Sequence, residues 1–513
     1  MLEKDYSVFP LLYQAVQANP KKEALYDLNE RITYEQLLER VNELAAIFIE
    51  MGVVKGDRIG VCLPNWNETV IIFFAAAKLG ATVVPFNPNY REYEIAYIVA
   101  NAAPKLLFVC EKVEENVGLA ALVADQRQLI SVRFKSPFAI PFEQLKRTNK
   151  SAIDVSIVPS HERYCILYTS GTTGLPKGVM ITHSSVVQSG LALARSLKCT
   201  KDDVFIVPAP LFHIFGMACN LMAAVSCQAK VILQEKFKPD HTLALIEQEK
   251  VTIHQAVPTM FILELNHPDF STFDLSSLRA GMVGAAPCPK ETVQEIRKRM
   301  GFHLCISYGM TEVGAATITP YEDEDESSLD TVGKPMEGVE ITIVNEDREP
   351  LPVGDIGEIA IRGFGNMIGY YKLPEQTNEV LGDNGWFYTG DLGSLDEEGY
   401  LRFIGRKKEL IIRGGYNIYP QEIEAILSEH EKVQESAVIG LPDEVLGELV
   451  CAGIKLKQGA HSSEQELLAY LSKRIAHYKV PSKIVFVEEL PVTASGKVQK
   501  SQLREQIIET IKS

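Results

Sequence analysis

Between Tyr168 and Gly178 the chain packs four aliphatic hydroxyls (Thr169, Ser170, Thr172 and Thr173), three glycines and Lys177 into eleven residues. They follow the apolar run 164–167, which reads as a buried strand. Glycine permits conformations and close approaches that other residues forbid, so such a loop can turn many N–H and O–H donors toward one anion, of which phosphate is the natural case. The pattern is not the GxxxxGK[ST] loop: no glycine immediately precedes Lys177, and Gly178 stands where a magnesium-binding hydroxyl belongs. A flexible surface turn has the same composition, so the phosphate reading needs further motifs.

Four other places carry candidate chemistry. Gly284, Ala285 and Ala286 have side chains small enough for a flat ring to approach the backbone. Residues 307–312 (Ser307, Tyr308, Gly309, Met310, Thr311, Glu312) offer an aromatic face, hydroxyls and a carboxylate suited to a base and a divalent cation beside phosphates. Taken alone, each reads equally as a strand-end loop, and Glu312 as a solvated acid. Asp391 ends the turn-rich segment 382–391 and could grip vicinal ribose hydroxyls or stabilise a turn as an Asx residue. Lys497, near the end, is by itself a surface lysine on a loop.

The elements that must position these groups alternate in period. Helix 34–51, strand 58–62, helix 69–79 and strand 81–85 predict βα units and a mainly parallel sheet covered by helices. The pattern weakens over 114–160 and restarts with strand 164–167, the hydroxyl-rich loop and helix 183–197. Strand 204–207 leads through Pro208 to His213 into a very apolar helix ending near Ala224. Strands are expected at 230–233, 252–255, 280–283 and 303–307, each ending at a loop, where open α/β sheets bind ligands. After an acidic run at 322–326, expected to be an exposed loop, shorter β-like pieces follow at 338–344, 357–361 and 399–403. A boundary is expected near 405–408, then a small α+β unit: a tight hairpin over 411–417, a helix opened by Pro420, strands 437–440 and 450–456, and helix 463–475.

Composition bounds the answer. A length of 513 residues predicts two to four domains or lobes, and 46% hydrophobic with 23% charged residues is ordinary for globular proteins. The net charge of −16 argues against a nucleic-acid binder and against adhesion to anionic membranes. Nine cysteines without a CxxC pair read as small buried hydrophobes in a reducing compartment. The charged start at residues 1–5 has no secretory core, and runs such as 70–77 and 214–226 fall short of the ~20 apolar residues that span a bilayer, so no integral membrane segment is expected and a cytoplasmic location is.

In this order, the motifs YTSGTTGLPKG, PLFHIFG, VGAAP, YGMTE, GEIAIRG, GWFYTGDLG, GRKKELIIRGGYNIYP and TASGK closely resemble those of the adenylate-forming superfamily, which includes acyl-CoA synthetases, firefly luciferase and peptide-synthetase adenylation domains. Eight ordered motifs make the likeness specific, and it covers nearly the whole chain. It implies a large N-terminal domain (1–405) of α/β subdomains plus a distorted β-barrel, and a small mobile C-terminal domain (406–513), with the active site between them. It further implies ATP, Mg²⁺ and coenzyme A as reactants or cofactor. An acyl-AMP forms first and passes its acyl group to a thiol, because a carboxylate is a poor electrophile and AMP a good leaving group.

Carried over by position, the resemblance assigns Thr169, Ser170, Gly171, Thr172, Thr173 and Lys177 to the β- and γ-phosphates. Gly284, Ala285 and Ala286 line the adenine, and Tyr308 stacks on it within the nucleotide-binding stretch 307–311. Glu312 binds Mg²⁺, Asp391 and Arg406 bind the ribose, and Lys497 neutralises charge between carboxylate and α-phosphate. The attacking carboxylate is already ionised and needs no base. Rotation about a hinge at Lys408 withdraws Lys497 and brings Gly414, Gly415 and Tyr416 to the thiol channel, which His213 gates; a core histidine capping a helix is the competing reading of His213. Segment 210–216 lacks the aspartate that grips an α-amino group, and the chain stops shortly after Lys497, so a plain acid and coenzyme A are favoured. The expected acyl pocket, His213, Met217, Val257, Met260, Gly284 and Met310, is small or apolar and suits a medium- or long-chain fatty acid. An aryl or cinnamate-like acid and an acyl-AMP ligase loading a separate carrier protein are the alternatives. A homodimer stays open.

Overall fold

The computed structural model describes residues 6–118, 122, 129–147, 158–169, 176–322, 326–492 and 498–512. Two large sheets make the body. In the eight-stranded sheet the parallel strands Arg163–Thr169, Thr82–Pro85, Arg58–Cys62, Leu106–Val109, Leu129–Ser131 and Ile140–Pro141 lie side by side, and the antiparallel strands Lys177–Thr182 and Gly369–Tyr370 extend the other edge. The nine-stranded sheet runs parallel from His303–Met310 through Ala280–Val283, Ile253–Ala256, Val204–Val207 and Lys230–Leu233 to Glu23–Tyr26, with antiparallel strands at both ends.

One apolar cluster joins Ile59, Val83 and Ile166 of the first sheet to Leu25, Phe205 and Val231 of the second. The helix Asn67–Leu79 is buried along almost its whole circumference, as a helix apolar all round must be. Strand periodicity explains the second core: Phe205, Val231, Met282 and Cys305 face the first cluster, while their neighbours Ile206, Ile232, Val283 and Leu304 face another on the opposite side.

The antiparallel part is a four-stranded sheet of Val339–Val344, Gly357–Gly363, Phe387–Leu395 and Leu401–Arg406. The smaller C-terminal domain has its own five-stranded sheet, including the Ile411–Arg413/Tyr416–Ile418 hairpin, and its own core around Ile411, Ile423, Val438 and Leu467. The hairpin turn is Gly414–Gly415 with φ of 57° and 84°, the left-handed conformation that a two-residue hairpin loop requires. The expected fold class, a large α/β domain followed by a small α+β domain, is the observed one.

Three local expectations are corrected. The chain does not pass from the hydroxyl-rich loop directly to a helix: residues 177–182 form a second strand, because their alternation is interrupted by buried neighbours on both faces. The strand expected to end at Ser307 continues to Met310 and folds back as Gly314–Ile318. The apolar helix after His213 begins as a π-helix, Phe215–Met222, in which the Asn220 side-chain amide donates to the Phe215 carbonyl (3.0 Å). A side chain at Gly216 would come within 2.2 Å of the Pro210 carbonyl oxygen, so this entry is packed backbone to backbone.

The expected buried cysteines are largely so, and none is in a disulfide. Burial pushes eight of the nine thiols up in pKa, to about 11 for Cys227 and about 12 for Cys219, Cys288 and Cys451. Among the described residues no helix is long and apolar enough to cross a membrane.

A polar pin fixes the amino ends of three central strands. Asp203 accepts from Arg279 Nε (2.7 Å) and Nη2 (2.6 Å), from the Thr252 hydroxyl (2.7 Å) and from the Thr200 N–H (2.7 Å). Burial alone would raise its pKa, but these donors outweigh it and the net shift is downward. Asp203→Asn should therefore cost about 1–2 kcal/mol in denaturant unfolding at neutral pH, discounted for the partly exposed guanidinium. Because a lowered folded pKa stabilises above the unfolded value, the gap between wild type and variant should close as pH falls through and below 3.8.

Candidate active site

The strand His303–Met310 and the strand Phe387–Leu395 belong to different sheets, and two side chains join them. The Tyr308 hydroxyl donates to Asp391 Oδ2 at 2.7 Å. Both residues are largely buried, and burial followed by the Asp391 charge holds the phenol well above its ordinary pKa, so it remains a donor. Burial likewise raises the Asp391 carboxyl, opposed by the Tyr308 hydrogen bond and by Arg406. Arg406 faces Asp391 across the Phe387–Leu395/Leu401–Arg406 ladder, its Nε 3.8 Å from Oδ1. The far side of the Tyr308 ring meets Phe403, with centroids 5.8 Å apart. The carboxylate is thus used between strands, and the alternative of an Asx turn at Asp391 does not hold.

Glu312 sits in the turn after Met310. It is 7% exposed, which overturns the reading of it as a solvated acid. Its Oε1 accepts from the Tyr370 hydroxyl at 3.0 Å, and its backbone carbonyl accepts from the Met367 N–H at 2.7 Å. The Lys177 ammonium lies 4.9 Å from the centre of the same Tyr370 ring. Tyr370 therefore links the Lys177 strand to the Glu312 turn. Among the described residues no group of three or more His, Cys, Asp or Glu side chains could hold a metal ion alone. A carboxylate only 7% exposed that accepts from a tyrosine hydroxyl nevertheless fits one side of a hard divalent cation whose other ligands are phosphate oxygens and water.

Cations gather around this pair of carboxylates. The half-buried Lys408 is pushed down in pKa, first by burial and then by Arg406, with Lys177 also close enough to contribute, while Glu409 and Asp391 oppose the shift. Lys177, Arg406 and Lys408 therefore share one electrostatic neighbourhood, which suits a polyphosphate.

On the neighbouring strand Ala280–Val283, Gly284 follows as a buried residue and Ala285 adopts a left-handed φ of 66°, an uncommon conformation for alanine. Ser307, beside them, donates its hydroxyl to the Thr317 carbonyl at 2.6 Å. Gly309 and Met310 complete the strand, and Thr311 opens the turn to Glu312.

The expected acyl-pocket residues are only partly drawn together. His213 is half-buried, its ring 4.8 Å from Phe212, and its carbonyl accepts from the Met217 N–H at the mouth of the π-helix. Met217 is fully buried in the main core, which Met310 borders. Met260 packs against the second core instead, and Val257 caps its helix, Pro258–Leu265.

Ser170, Gly171, Thr172, Thr173 and Lys497 lie outside the described residues; Thr169 is seen at the strand end, paired with Lys177. Gly414, Gly415 and Tyr416 are exposed, Tyr416 by 58%, and its ring stacks on Tyr478 at 4.6 Å within the C-terminal domain. The hairpin is thus presented to solvent in this conformation and is not packed against the Tyr308–Asp391 cluster. Sequence reasoning missed Tyr370 and Phe403. The adjacent aromatics Tyr370 and Tyr371 in a turn-rich stretch were the available signal for the first; Phe403 had none beyond its strand pattern.

A family described as AMP-binding enzyme matches residues 12–371, and one described as AMP-binding enzyme C-terminal domain matches residues 422–497. The medium-chain fatty-acid–CoA ligase of Escherichia coli is 37% identical, over 98% of this chain and 91% of that protein. A mitochondrial medium-chain acyl-CoA ligase of Homo sapiens is 34% identical, over 97% of this chain and 86% of that protein. Among solved structures, ATP-bound MatB from Rhodopseudomonas palustris superimposes with a TM-score of 0.90 at 31% identity, covering 98% of this chain and 99% of that one. Together with the motif order and the buried cluster of Tyr308, Glu312 and Asp391, these matches show that the chain belongs to the AMP-binding enzymes of the adenylate-forming superfamily.

Proposed function

We propose that the protein is an AMP-forming acid–thiol ligase that makes acyl-CoA, with a medium- or long-chain fatty acid as its substrate. The observation that carries this reading is the Tyr308–Asp391 pair with the half-exposed Arg406, beside Glu312 and Lys177, which combines a ring face, a hydroxyl acceptor and cations within one neighbourhood. The two relatives named above are medium-chain ligases by name, which supports this chain-length class. One methylene is worth only about 1–3 kcal/mol of discrimination, so a range of chain lengths is expected.

In this reading the substrate carboxylate oxygen attacks the α-phosphorus of ATP, the bond to the bridging oxygen breaks, and pyrophosphate leaves. The thiol sulfur of coenzyme A then attacks the acyl carbon, the bond to AMP breaks, and the thiol proton goes to solvent. Asp391 and Arg406 hold the ribose, Tyr308 with Gly284, Ala285 and Ala286 lines the base, and Thr169, Ser170, Gly171, Thr172, Thr173 and Lys177 hold the departing pyrophosphate. Glu312 would hold a magnesium ion, which when bound screens phosphate charge. Lys497 serves the first step, and Gly414–Tyr416 serve the second after residues 406–513 turn about Lys408. Mostly buried cysteines outside any disulfide accord with a reducing, cytoplasmic site of action.

Pyrophosphate release across a panel of alkyl and aryl acids, with coenzyme A or an acyl-carrier protein as acceptor, tests the reading; release that depends on no acid would reject it. Lys497→Ala should slow adenylation by about 10²–10³-fold while leaving thioester formation from supplied acyl-AMP intact, and Gly415→Leu should do the reverse. Since hydroxyl donors need the ionised Asp391 and burial raises its pKa, kcat/KM for ATP should fall on acidification at a higher pH than an ordinary aspartate would give. Asp391→Asn should remove that acid limb and lower kcat/KM for ATP by about 10–100-fold.

A further inference from the structure

The carboxylate assigned to the ribose is the first of five alternating charges. Arg406 stands between Asp391 Oδ1 (3.8 Å from its Nε) and Glu409 Oε1 (3.9 Å from its Nη1), beyond hydrogen-bond distance of both. Glu409 Oε2 lies 3.3 Å from the Lys500 ammonium, which makes its shorter contact, 2.7 Å, with Glu424 Oε1. The row starts on the strand Phe387–Leu395, crosses the turn Lys407–Glu409, and ends between the helices Pro420–Ser428 and Lys500–Lys512. Glu409, Glu424 and Lys500 side chains are only 22%, 19% and 18% exposed, so solvent screens them less than it would a surface pair. Lys408 and Lys177 lie in the same neighbourhood, and Lys407 is held by Glu358 at 3.3 Å.

Lys500 is also anchored at its own end. Val498 forms an isolated bridge with Val492, and Gln499 binds back through its N–H to the Pro491 carbonyl (2.7 Å) and through its side-chain amide to the Val492 carbonyl (3.0 Å). The start of the final helix is therefore tied both to residues 491–492 and, through Lys500 and Glu409, to the turn that joins the two domains.

We infer that Glu409 and Lys500 are positioning residues through which nucleotide bound at Asp391 sets the C-terminal domain, an inference that rests on the nucleotide site proposed above. Arg406 has two carboxylates at nearly equal distance, so a ribose held by Asp391 and Arg406 changes the share of the guanidinium that faces Glu409. Lys500 keeps Glu409 within reach. The coupling is reciprocal: weakening the Glu409–Lys500 contact weakens the response of the joining turn to nucleotide.

The turn supplies its own reporter, since Arg406, Lys407 and Lys408 are tryptic sites. ATP should slow cleavage there about fivefold or more in the full-length protein. Lys500→Met and Glu409→Gln should lose that protection, and Lys500→Arg should keep it. In Lys500→Met and Glu409→Gln adenylation should fall about fivefold or more, while transfer from supplied acyl-AMP stays within about twofold. The inference is overturned if ATP gives the wild type no protection, if Lys500→Met and Glu409→Gln remain protected, or if both half-reactions fall together. Circular dichroism of each variant separates misfolding from lost coupling, and a misfolded Lys500→Met leaves Glu409→Gln and Lys500→Arg to decide. ATP protection without acid-dependent pyrophosphate release would instead sink the proposed ligase reading and leave the coupling standing.

Discussion

The hydrogen bond from Tyr308 to Asp391 is the constraint on which the arrangement turns. It runs between strands of different sheets, and it exists because burial keeps the phenol protonated while Tyr308 and Arg406 together support the carboxylate. Once those strands are held in this relation, the turn after Met310 has one place to go. That turn carries Glu312, which Tyr370 meets from the edge of the eight-stranded sheet. Three sheets therefore contribute to one cluster, and moving any of them would separate the acids from the cations around them.

The charge pattern makes sense in the same terms. A chain of net charge −16 should repel a polyphosphate at long range, yet Arg406 and Lys177 lie close enough to Lys408 to help lower its pKa. Local concentration of cations with partial burial outweighs a diffuse negative surface, because screening removes most of the latter beyond about 8–10 Å. Net charge therefore says little about the ligand, whereas the placement of three residues says much.

Much of the body was legible because its signals are periodic. The strands 204–207, 230–233 and 280–283 were read to the residue, and the structure shows why: each alternates between two cores. Legibility failed where one side chain bridges sheets. Tyr370 lies in a two-residue strand, too short to show a period, and its partner Glu312 is distant in sequence. The strand 177–182 was hidden by the loop before it, and the π-helix by an apolar run whose composition is the same for either helical pitch. Lys500 carried no signal, since a lysine opening a terminal helix is ordinary until its two glutamates are seen. Of the site, the motifs supplied the residue identities; which of them touch was a matter for the three-dimensional structure.

The cysteines acquire a meaning once thiol chemistry is considered. A mixed anhydride of a carboxylic acid and a phosphate acylates any thiolate that reaches it, and it is the thiolate, not the thiol, that attacks. Here nine thiols share a chain proposed to hold such an anhydride while awaiting a diffusing thiol, and burial keeps eight of them in the unreactive protonated form. The packing that fills the core thus also spares the enzyme from becoming its own acyl acceptor.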